Sequence, residues 1–342
     1  MEQILISEAS EILIGRGVPA PYLPVRSSRS GAAVLAQPGA RAAAERAVAA
    51  IRDDGIPATV RIVPDGEAVK TLTAAGETYE WLADLGIGRN DTIVGIGGGA
   101  VTDFAGFVAG TWLRGVEAVY QSTTLLGAVD AAVGGKTGLN LRGKNLVGLF
   151  RHPSRVVIDV DELEQLPSHL LQEGFAEAIK AGFIADPGLV DLFERDGSGA
   201  DLEQVVFRAV RVKADVVAAD FRESGRRGIL NYGHTIGHAI EVAAGISHGR
   251  AVAIGMVAAG AVSEVRCGFP GAARQRALLD MLGLPVVSPE VDADDVRRLI
   301  GFDKKRDAGG LRMALLEDFG RVRLEYVSDE DLAVGMAAIG LA

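Results

Sequence analysis

Short runs of β-branched residues alternate with alanine-rich stretches in the first half of the chain, and this alternation is the strongest constraint on its fold. The pattern predicts strands at residues 1–6, 33–35, 59–63, 92–96 and 118–121, with helices at 42–52 and 74–85. Strands and helices in alternation are typical of a parallel sheet covered by helices. We therefore expect an α/β, Rossmann-like nucleotide-binding domain at the N-terminus, in which the small-residue helix near residues 39–50 faces solvent.

Strand patterns fade after about residue 160, and apolar residues then recur with the 3.6-residue period of helices. Helices are predicted at residues 168–185, 202–219 and 235–244. The apolar run at 251–262 is too short to span a bilayer and predicts a buried helix. A length of 342 residues suits about two domains. We predict a nucleotide-binding α/β domain over 1–160 and a mainly α-helical domain over 161–342.

The overall charge of the chain excludes several classes of partner. A formal net charge of -10 argues against binding to nucleic acid or to anionic membranes. Cys267 is the only cysteine, which rules out an intrachain disulfide and fits a reducing cytoplasm. The first residues lack the basic segment and apolar core of a signal peptide, so a cytoplasmic protein is expected.

Three of the five histidines, His234, His238 and His248, lie within fifteen residues and indicate a metal site. A catalytic zinc takes three protein ligands and keeps a fourth position open, and Glu177 is a candidate carboxylate ligand. The spacing of four between His234 and His238 puts both on one helix face and favours them as the pair of imidazole ligands. The same histidines could also be hydrogen-bonded without any metal.

Glycine-rich and basic segments point to an anionic ligand. The strand at 92–96 runs into Gly97-Gly98-Gly99, where backbone amides can approach a pyrophosphate, although a plain tight turn fits equally well. Paired glycines precede Lys136, but the spacing of an ATP-binding P-loop is missing. Several lysines and arginines in an acidic protein predict a polyanionic substrate, although Lys180 could instead pair with Glu177 three residues earlier.

Taken together, these segments resemble the 3-dehydroquinate synthase family, which are sugar-phosphate cyclases of the shikimate pathway. The resemblance runs from about residue 62 to 315. Six motifs carry it in the family's order, at residues 65–70, 97–103, 123–145, 174–180, 230–241 and 248–249. Two departures stand out: the loop between Lys136 and Lys144 is one residue shorter than usual, and the interval from 240 to 248 is also short. We expect shortened surface turns there.

The resemblance implies a site for NAD, a site for one divalent metal ion and a set of substrate contacts. The implied NAD contacts are Asp65, Gly66, Glu67, Ala68, Val69, Lys70, Gly99, Ala100, Val101, Thr102, Asp103, Thr123, Thr124, Lys136, Lys144, Glu162, Leu163, Glu164 and Gln165. The implied ligands of zinc or cobalt are Glu177, His234 and His248, which makes His238 a substrate contact and overturns the spacing argument. The implied substrate contacts are Asp130, Lys136, Asn145, Lys180, Lys213, Arg227, Asn231, His238 and Lys305, with Lys304 as the alternative to Lys305. Arg114 matches an arginine that reaches the neighbouring subunit's site in this family, so a homodimer is implied.

The implied reaction converts 3-deoxy-D-arabino-heptulosonate 7-phosphate into 3-dehydroquinate and phosphate. Its steps are oxidation by NAD, elimination of phosphate, return of the hydride and an intramolecular aldol closure. Another sugar-phosphate cyclase, such as an aminodehydroquinate, valiolone or inosose synthase, remains an alternative. A metal-dependent alcohol or glycerol dehydrogenase would accumulate NADH, and a non-enzymatic metal-binding protein would bind both cofactors without turnover.

Overall fold

The computed structural model describes residues 1–7, 10–26, 28–304 and 310–341. The chain divides into two compact units, one formed by Met1–Pro167 with Lys213–Arg222 and the other by Ser168–Val212 with Glu223–Ala342. These units are defined by contacts within the structure. Whether each unit folds separately is a different property, so the predicted domain boundary near residue 160 stays a prediction.

The first unit is built on a seven-stranded sheet with the order β1-β2-β9-β6-β5-β3-β4. The pairs are parallel except β1 with β2, and a separate antiparallel hairpin pairs β7 with β8. The strands are β1 (Glu2–Ser7), β2 (Ser10–Gly15), β3 (Ala32–Ala36), β4 (Ala58–Ile62), β5 (Thr92–Gly97), β6 (Glu117–Ser122), β7 (Lys136–Leu139), β8 (Val147–Phe150) and β9 (Arg155–Asp159). The helices are α1 (Arg41–Asp53), α2 (Leu72–Asp84), α3 (Gly99–Thr111) and α4 (Val160–Glu164).

The strand order reverses at β3, which pairs with β4 on one side and with β5 on the other. Loops that leave β3 and β5 therefore diverge, and open α/β sheets bind ligands in the crevice at such a point. Gly95 lets α3 lie close to β5, because a Cβ there would be 2.6 Å from the Ala105 Cβ. The nucleotide-type turn after β5 is thus central in the sheet, although its strand is late in the sequence.

Helix α1 differs from the expectation of a solvent-facing helix. Five of its residues, Ala43, Ala44, Ala47, Val48 and Ile51, are buried in the core that includes β3. Alanine methyls are small enough for a helix to pack closely on a sheet, so an alanine-rich helix can bury one whole face. The prediction of a helix is confirmed, whereas the prediction that it faces solvent is wrong.

The second unit consists mainly of helices. They are α5 (Ser168–Ala185), α6 (Pro187–Asp196), α7 (Leu202–Ala219, of which residues 202–212 belong here), α8 (His234–Ala244), α9 (His248–Cys267), α10 (Ala272–Met281), α11 (Ala293–Lys304) and α12 (Asp329–Ala338). An antiparallel hairpin of β10 (Arg312–Asp318) and β11 (Arg321–Tyr326) was not foreseen, because only β10 has a continuous buried run. Among the described residues, none of the helices has the length and apolar character needed to cross a membrane.

Glycines allow α8 and α9 to touch backbone to backbone. A Cβ on Gly255 of α9 would lie 1.9 Å from the carbonyl oxygen of Gly233 and 2.8 Å from the Gly237 nitrogen. Gly233 precedes α8 and has a φ of +82°, a conformation that favours glycine. This contact fixes the first turn of α8, where His234 lies, against a buried face of α9, and α9 begins at His248.

Candidate active site

Glu177, His234, His238 and His248 are brought together in the second unit by α5, α8 and α9. The Glu177 Oε1 atom lies 3.5 Å from the Nε2 atoms of both His234 and His248. One nitrogen from each of the three histidines lies within 4.8 Å of the others. His238 is the exposed member of the cluster. The structure therefore places all the candidate ligands together, and His238 belongs to the same group.

The Glu177 carboxylate has the property expected of an anionic metal ligand. Its side chain is 1% exposed, its Oε2 atom is paired with the Lys180 ammonium, and its Oε1 atom has no hydrogen-bond partner among the described residues. A buried carboxylate oxygen without a partner is costly unless a cation compensates it. Ligands of a tetrahedral zinc with bonds of about 2.0–2.1 Å are roughly 3.4 Å apart. The observed 3.5 Å separations fit such an ion.

The outer nitrogens of two imidazoles are held by acceptors. His234 Nδ1 lies 3.2 Å from the Tyr232 carbonyl oxygen, and His248 Nδ1 lies 3.0 Å from Glu241 Oε2. An acceptor on Nδ1 favours the tautomer in which Nε2 keeps its lone pair, as in carboxylate–histidine–zinc groups. Sequence reasoning gave Glu241 no role. Glu241 lies seven residues after His234 and therefore on the same face of α8. That spacing could have indicated that Glu241 lies near the histidine cluster.

Burial and neighbouring charges separate the pKa values of this cluster. Burial, together with the Lys180 ammonium, lowers the pKa of His234 to about 3. Burial also lowers the pKa of His248, but the nearby carboxylates of Glu177 and Glu241 outweigh it and raise the pKa to about 10. Burial raises the pKa of Glu177, yet Lys180 and His234 hold it well below its usual range. An ionised Glu177 beside a neutral His234 suits a cation, whereas His248 must lose its proton when a cation binds.

Three further proposed substrate contacts lie in the second unit. Lys180 is buried on α5 and pairs with Glu177, which confirms the pairing that their spacing allowed. Arg227 and Asn231 lie in a 3-10 turn, Arg226–Asn231, that leads into α8, and Arg227 is buried whereas Asn231 is exposed. Lys305 lies outside the described residues, and α11 ends at Lys304.

In the first unit, the glycine turn after β5 has no space for side chains. A Cβ on Gly97 would lie 2.7 Å from Val101 Cγ1, and one on Gly99 would lie 2.7 Å from Ala131 Cβ. Gly98 caps α3, so the amides of Gly99, Ala100 and Val101 begin a 13-residue helix. The N-terminus of such a helix attracts anions. Thr123 lies beside this turn, because its amide donates to the Gly97 carbonyl at 2.9 Å.

Gln37, which follows β3, is a residue that sequence reasoning missed. Its side-chain oxygen accepts a hydrogen bond from the Gly98 amide at 3.1 Å, and the residue is buried. The strand order places Gln37 beside the glycine turn, on the other side of the crevice between β3 and β5. No local motif marks it, because the proximity arises from pairing of strands about 60 residues apart in sequence.

The predicted nucleotide residues of 65–70 form a polar 3-10 turn whose last side chain is buried. The Lys70 ammonium donates to Asp103 Oδ2 at 2.7 Å and also to Asn145 Oδ1. Burial raises the pKa of Asp103 to about 6, although Lys70 counteracts it. Asn145 has a φ of +57°. Asn140 helps to hold this conformation, because it accepts from the Asn145 amide at 2.9 Å and donates to Glu67 at 2.6 Å.

The other predicted contacts of the first unit lie in several places. Lys213 pairs with Asp130, so the structure brings these two together. Lys136 begins β7, and Lys144 lies in an exposed turn, as expected for the shortened loop. Arg114 is exposed on a turn where φ is +50° at Leu113 and +68° at Arg114.

The segment from Glu162 to Gln165 mixes exposed and buried side chains. Leu163 is fully buried, whereas Glu164 forms a salt bridge of 2.7 Å with Arg16 at the surface. Glu162 accepts from Gln121 Nε2 at 3.1 Å, which attaches it to the end of β6. Gln165 donates to the Asp161 carbonyl within the same turn. The side chains of Leu163 and Glu164 are thus already engaged within the protein.

A helix N-terminus at the reversal point of a parallel sheet, together with a Glu-His cluster on a helical unit, is typical of an enzyme that uses a nucleotide and a metal ion. Two family models match the chain, 3-dehydroquinate synthase N-terminal over residues 60–173 and 3-dehydroquinate synthase C-terminal over residues 174–306. A 3-dehydroquinate synthase from Nocardia farcinica (strain IFM 10152) is 44% identical over 356 residues, which cover 98% of this chain and 95% of the relative. The chain belongs to the 3-dehydroquinate synthase family.

Two solved structures share the fold. A 2-deoxy-scyllo-inosose synthase complexed with carbaglucose-6-phosphate, NAD+ and Co2+ has a TM-score of 0.86 and 27% identity, covering 99% of this chain and 98% of that one. The 2-epi-5-epi-valiolone synthase ValA from Streptomyces hygroscopicus subsp. jinggangensis 5008, with NAD+ and Zn2+ bound, has a TM-score of 0.85 and 23% identity, covering 99% of each chain. The second likeness concerns the fold alone.

Proposed function

We propose that this chain is a 3-dehydroquinate synthase that converts 3-deoxy-D-arabino-heptulosonate 7-phosphate into 3-dehydroquinate and phosphate, with NAD and one divalent ion, Zn2+ or Co2+, as cofactors. The single observation that supports this best is the buried Glu177 Oε1 atom, which lacks a hydrogen-bond partner among the described residues and lies 3.5 Å from two imidazole nitrogens. When bound, NAD accepts and returns a hydride, and the divalent ion polarises the alcohol that is oxidised.

The proposed metal ligands are Glu177, His234 and His248. Lys180 neutralises the second Glu177 oxygen, which leaves the first one available to a cation. Tyr232 and Glu241 hold the imidazoles with Nε2 directed toward Glu177. Two neutral imidazoles with one carboxylate suit zinc, and cobalt accepts the same donors.

His238 is proposed as a substrate contact and not as a ligand, because it is the exposed histidine of the cluster. An exposed imidazole can exchange a proton with a substrate hydroxyl near neutral pH. The buried Lys180 ammonium would also exchange a proton with a substrate hydroxyl. The other proposed substrate contacts are Asp130 with its partner Lys213, and Lys136, Asn145, Arg227 and Asn231.

The proposed NAD site uses the turn between β5 and α3. Backbone amides at the start of α3 would bind the pyrophosphate, and the glycines would allow its close approach. The side chains proposed to surround it are those of residues 65–70 and 162–165, with Asp103, Thr123, Thr124 and Lys144. Because Lys70 and Leu163 are buried, we expect their contribution to come from positioning neighbouring groups.

The reaction class proposed is that of a phosphorus–oxygen lyase. After oxidation, the carbon next to the new ketone loses a proton, the bond from carbon to the phosphate oxygen breaks, and a carbon–carbon double bond forms. The departing phosphate itself can take the proton. A homodimer, in which Arg114 reaches the partner, and a cytoplasmic location complete the proposal.

The fate of the hydride provides the test. With the heptulosonate phosphate in large excess over NAD, phosphate release should continue for many turnovers, and no NADH should accumulate at 340 nm. A dehydrogenase would instead form one NADH per product and stop when NAD is consumed. Stoichiometric NADH without phosphate release would refute the synthase assignment and support the dehydrogenase alternative.

A further inference from the structure

Helix α9 begins at the proposed metal ligand His248, and a carboxylate from α5 caps that end. Glu173 Oε2 accepts from the Gly249 amide at 2.8 Å, and Glu173 Oε1 accepts from the Ser247 hydroxyl. Ser247 is the N-cap residue of α9, yet its side chain makes no capping bond of its own. The carboxylate of another helix therefore satisfies an amide that a capping side chain normally satisfies.

Direct backbone contact reinforces this attachment. A Cβ on Gly249 would lie 2.4 Å from the Glu173 carbonyl oxygen and 2.8 Å from the Glu173 Cα. The two residues that flank His248 are thus held against one residue of α5. Glu177 lies one turn further along the same helix, so the Glu173 contacts set where His248 stands relative to Glu177.

We propose that Glu173 is a positioning residue for the metal ligand His248. Its carboxylate fixes the start of α9, and with it the separation of 3.5 Å between His248 Nε2 and Glu177 Oε1. Glu241 orients the imidazole ring through Nδ1, whereas Glu173 locates the backbone that carries the ring. The negative charge of Glu173 interacts favourably with the positive end of the α9 dipole, and that of Glu241 would stabilise a cation bound by His248. The inference rests on the proposed metal site.

The test is metal affinity in Glu173→Ala and Glu173→Gln, measured by titrating metal-free protein with Zn2+ against a chromophoric chelator. Loss of a supporting hydrogen bond in a metal site typically weakens affinity about 10- to 100-fold. We expect a loss in that range for Glu173→Ala and a smaller one for Glu173→Gln, which keeps one acceptor oxygen. Glu264→Ala is the matched control, because Glu264 is exposed on α9 and its side chain has no hydrogen bond or ion pair among the described residues.

A second measurement separates positioning from a general loss of stability. The visible absorption of bound Co2+ should change in Glu173→Ala, because the imidazole of His248 is displaced, whereas Glu264→Ala should keep the spectrum. An affinity within twofold of the control, with an unchanged Co2+ spectrum, would overturn the proposal. If Glu173→Ala does not fold, as judged by circular dichroism, Glu173→Gln decides by the same criteria. Unchanged metal binding in Glu177→Gln would instead overturn the ligand assignment itself.

Discussion

Gly255→Ala tests whether the backbone contact between α8 and α9 stabilises the second unit and its histidines. The added methyl would lie 1.9 Å from the Gly233 carbonyl oxygen and 2.8 Å from the Gly237 nitrogen. Both obstacles are backbone atoms, so no side-chain rotation can relieve them. The helices must separate by more than about 1 Å, since carbon and oxygen atoms in contact stay above about 3 Å apart.

The expected loss follows from two opposing terms. Overpacking a buried contact costs about 1–3 kcal/mol, and the upper end applies here because backbone must move. Replacing glycine by alanine within a helix stabilises the folded state by about 1 kcal/mol. We therefore expect a net loss of about 2 kcal/mol in the free energy of unfolding. The movement would also shift His234 relative to His248, so Zn2+ affinity should fall as well.

Gly76→Ala is the matched control for this experiment. Gly76 is exposed within α2, and nothing lies within 4 Å of the position that a Cβ would take. This variant carries the same helix-propensity gain without the collision and should be stabilised by about 0.5–1 kcal/mol. Urea unfolding of both metal-free variants would give the overpacking cost as their difference. Equal stabilities for the two variants would refute the argument.

Three other changes test the site. His238→Ala should keep one bound metal ion per chain but lose turnover, and loss of the metal would restore the pair His234 and His238 as ligands. Arg227→Lys should raise the substrate KM, because a planar donor of two parallel hydrogen bonds becomes a point charge, and unchanged kinetics would remove Arg227 from the site. Burial raises the Asp103 pKa from 3.8 to about 6, so the folded protein keeps a proton that the unfolded chain loses in this window, and stability falls as pH rises through it. Asp103→Asn should remove this part of the pH dependence, which unfolding midpoints across that pH range would reveal.

Sequence alone determined many of the elements and the chemical types of the predicted site residues. Periodicity located strands such as 92–96 and helices such as 168–185, because local apolar patterning reflects which face of an element is buried. Resemblance to a family selected Glu177, His234 and His248, and the structure brings these three together. Alanine content did not reveal the buried face of α1, since alanine is common on both buried and exposed helix faces.

Tertiary structure decided the contacts that connect distant segments. Gln37 reaches the Gly98 amide only because β3 pairs with β5, and Glu173 reaches Gly249 only because α5 packs against the start of α9. The Glu177 Oε1 atom, which has no hydrogen-bond partner in the part of the chain that the structure describes, is likewise recognised only when burial is known. Local sequence sets which residues are available, whereas the pairing of strands and the packing of helices set which polar atoms meet, because those distances are long-range properties of the folded chain.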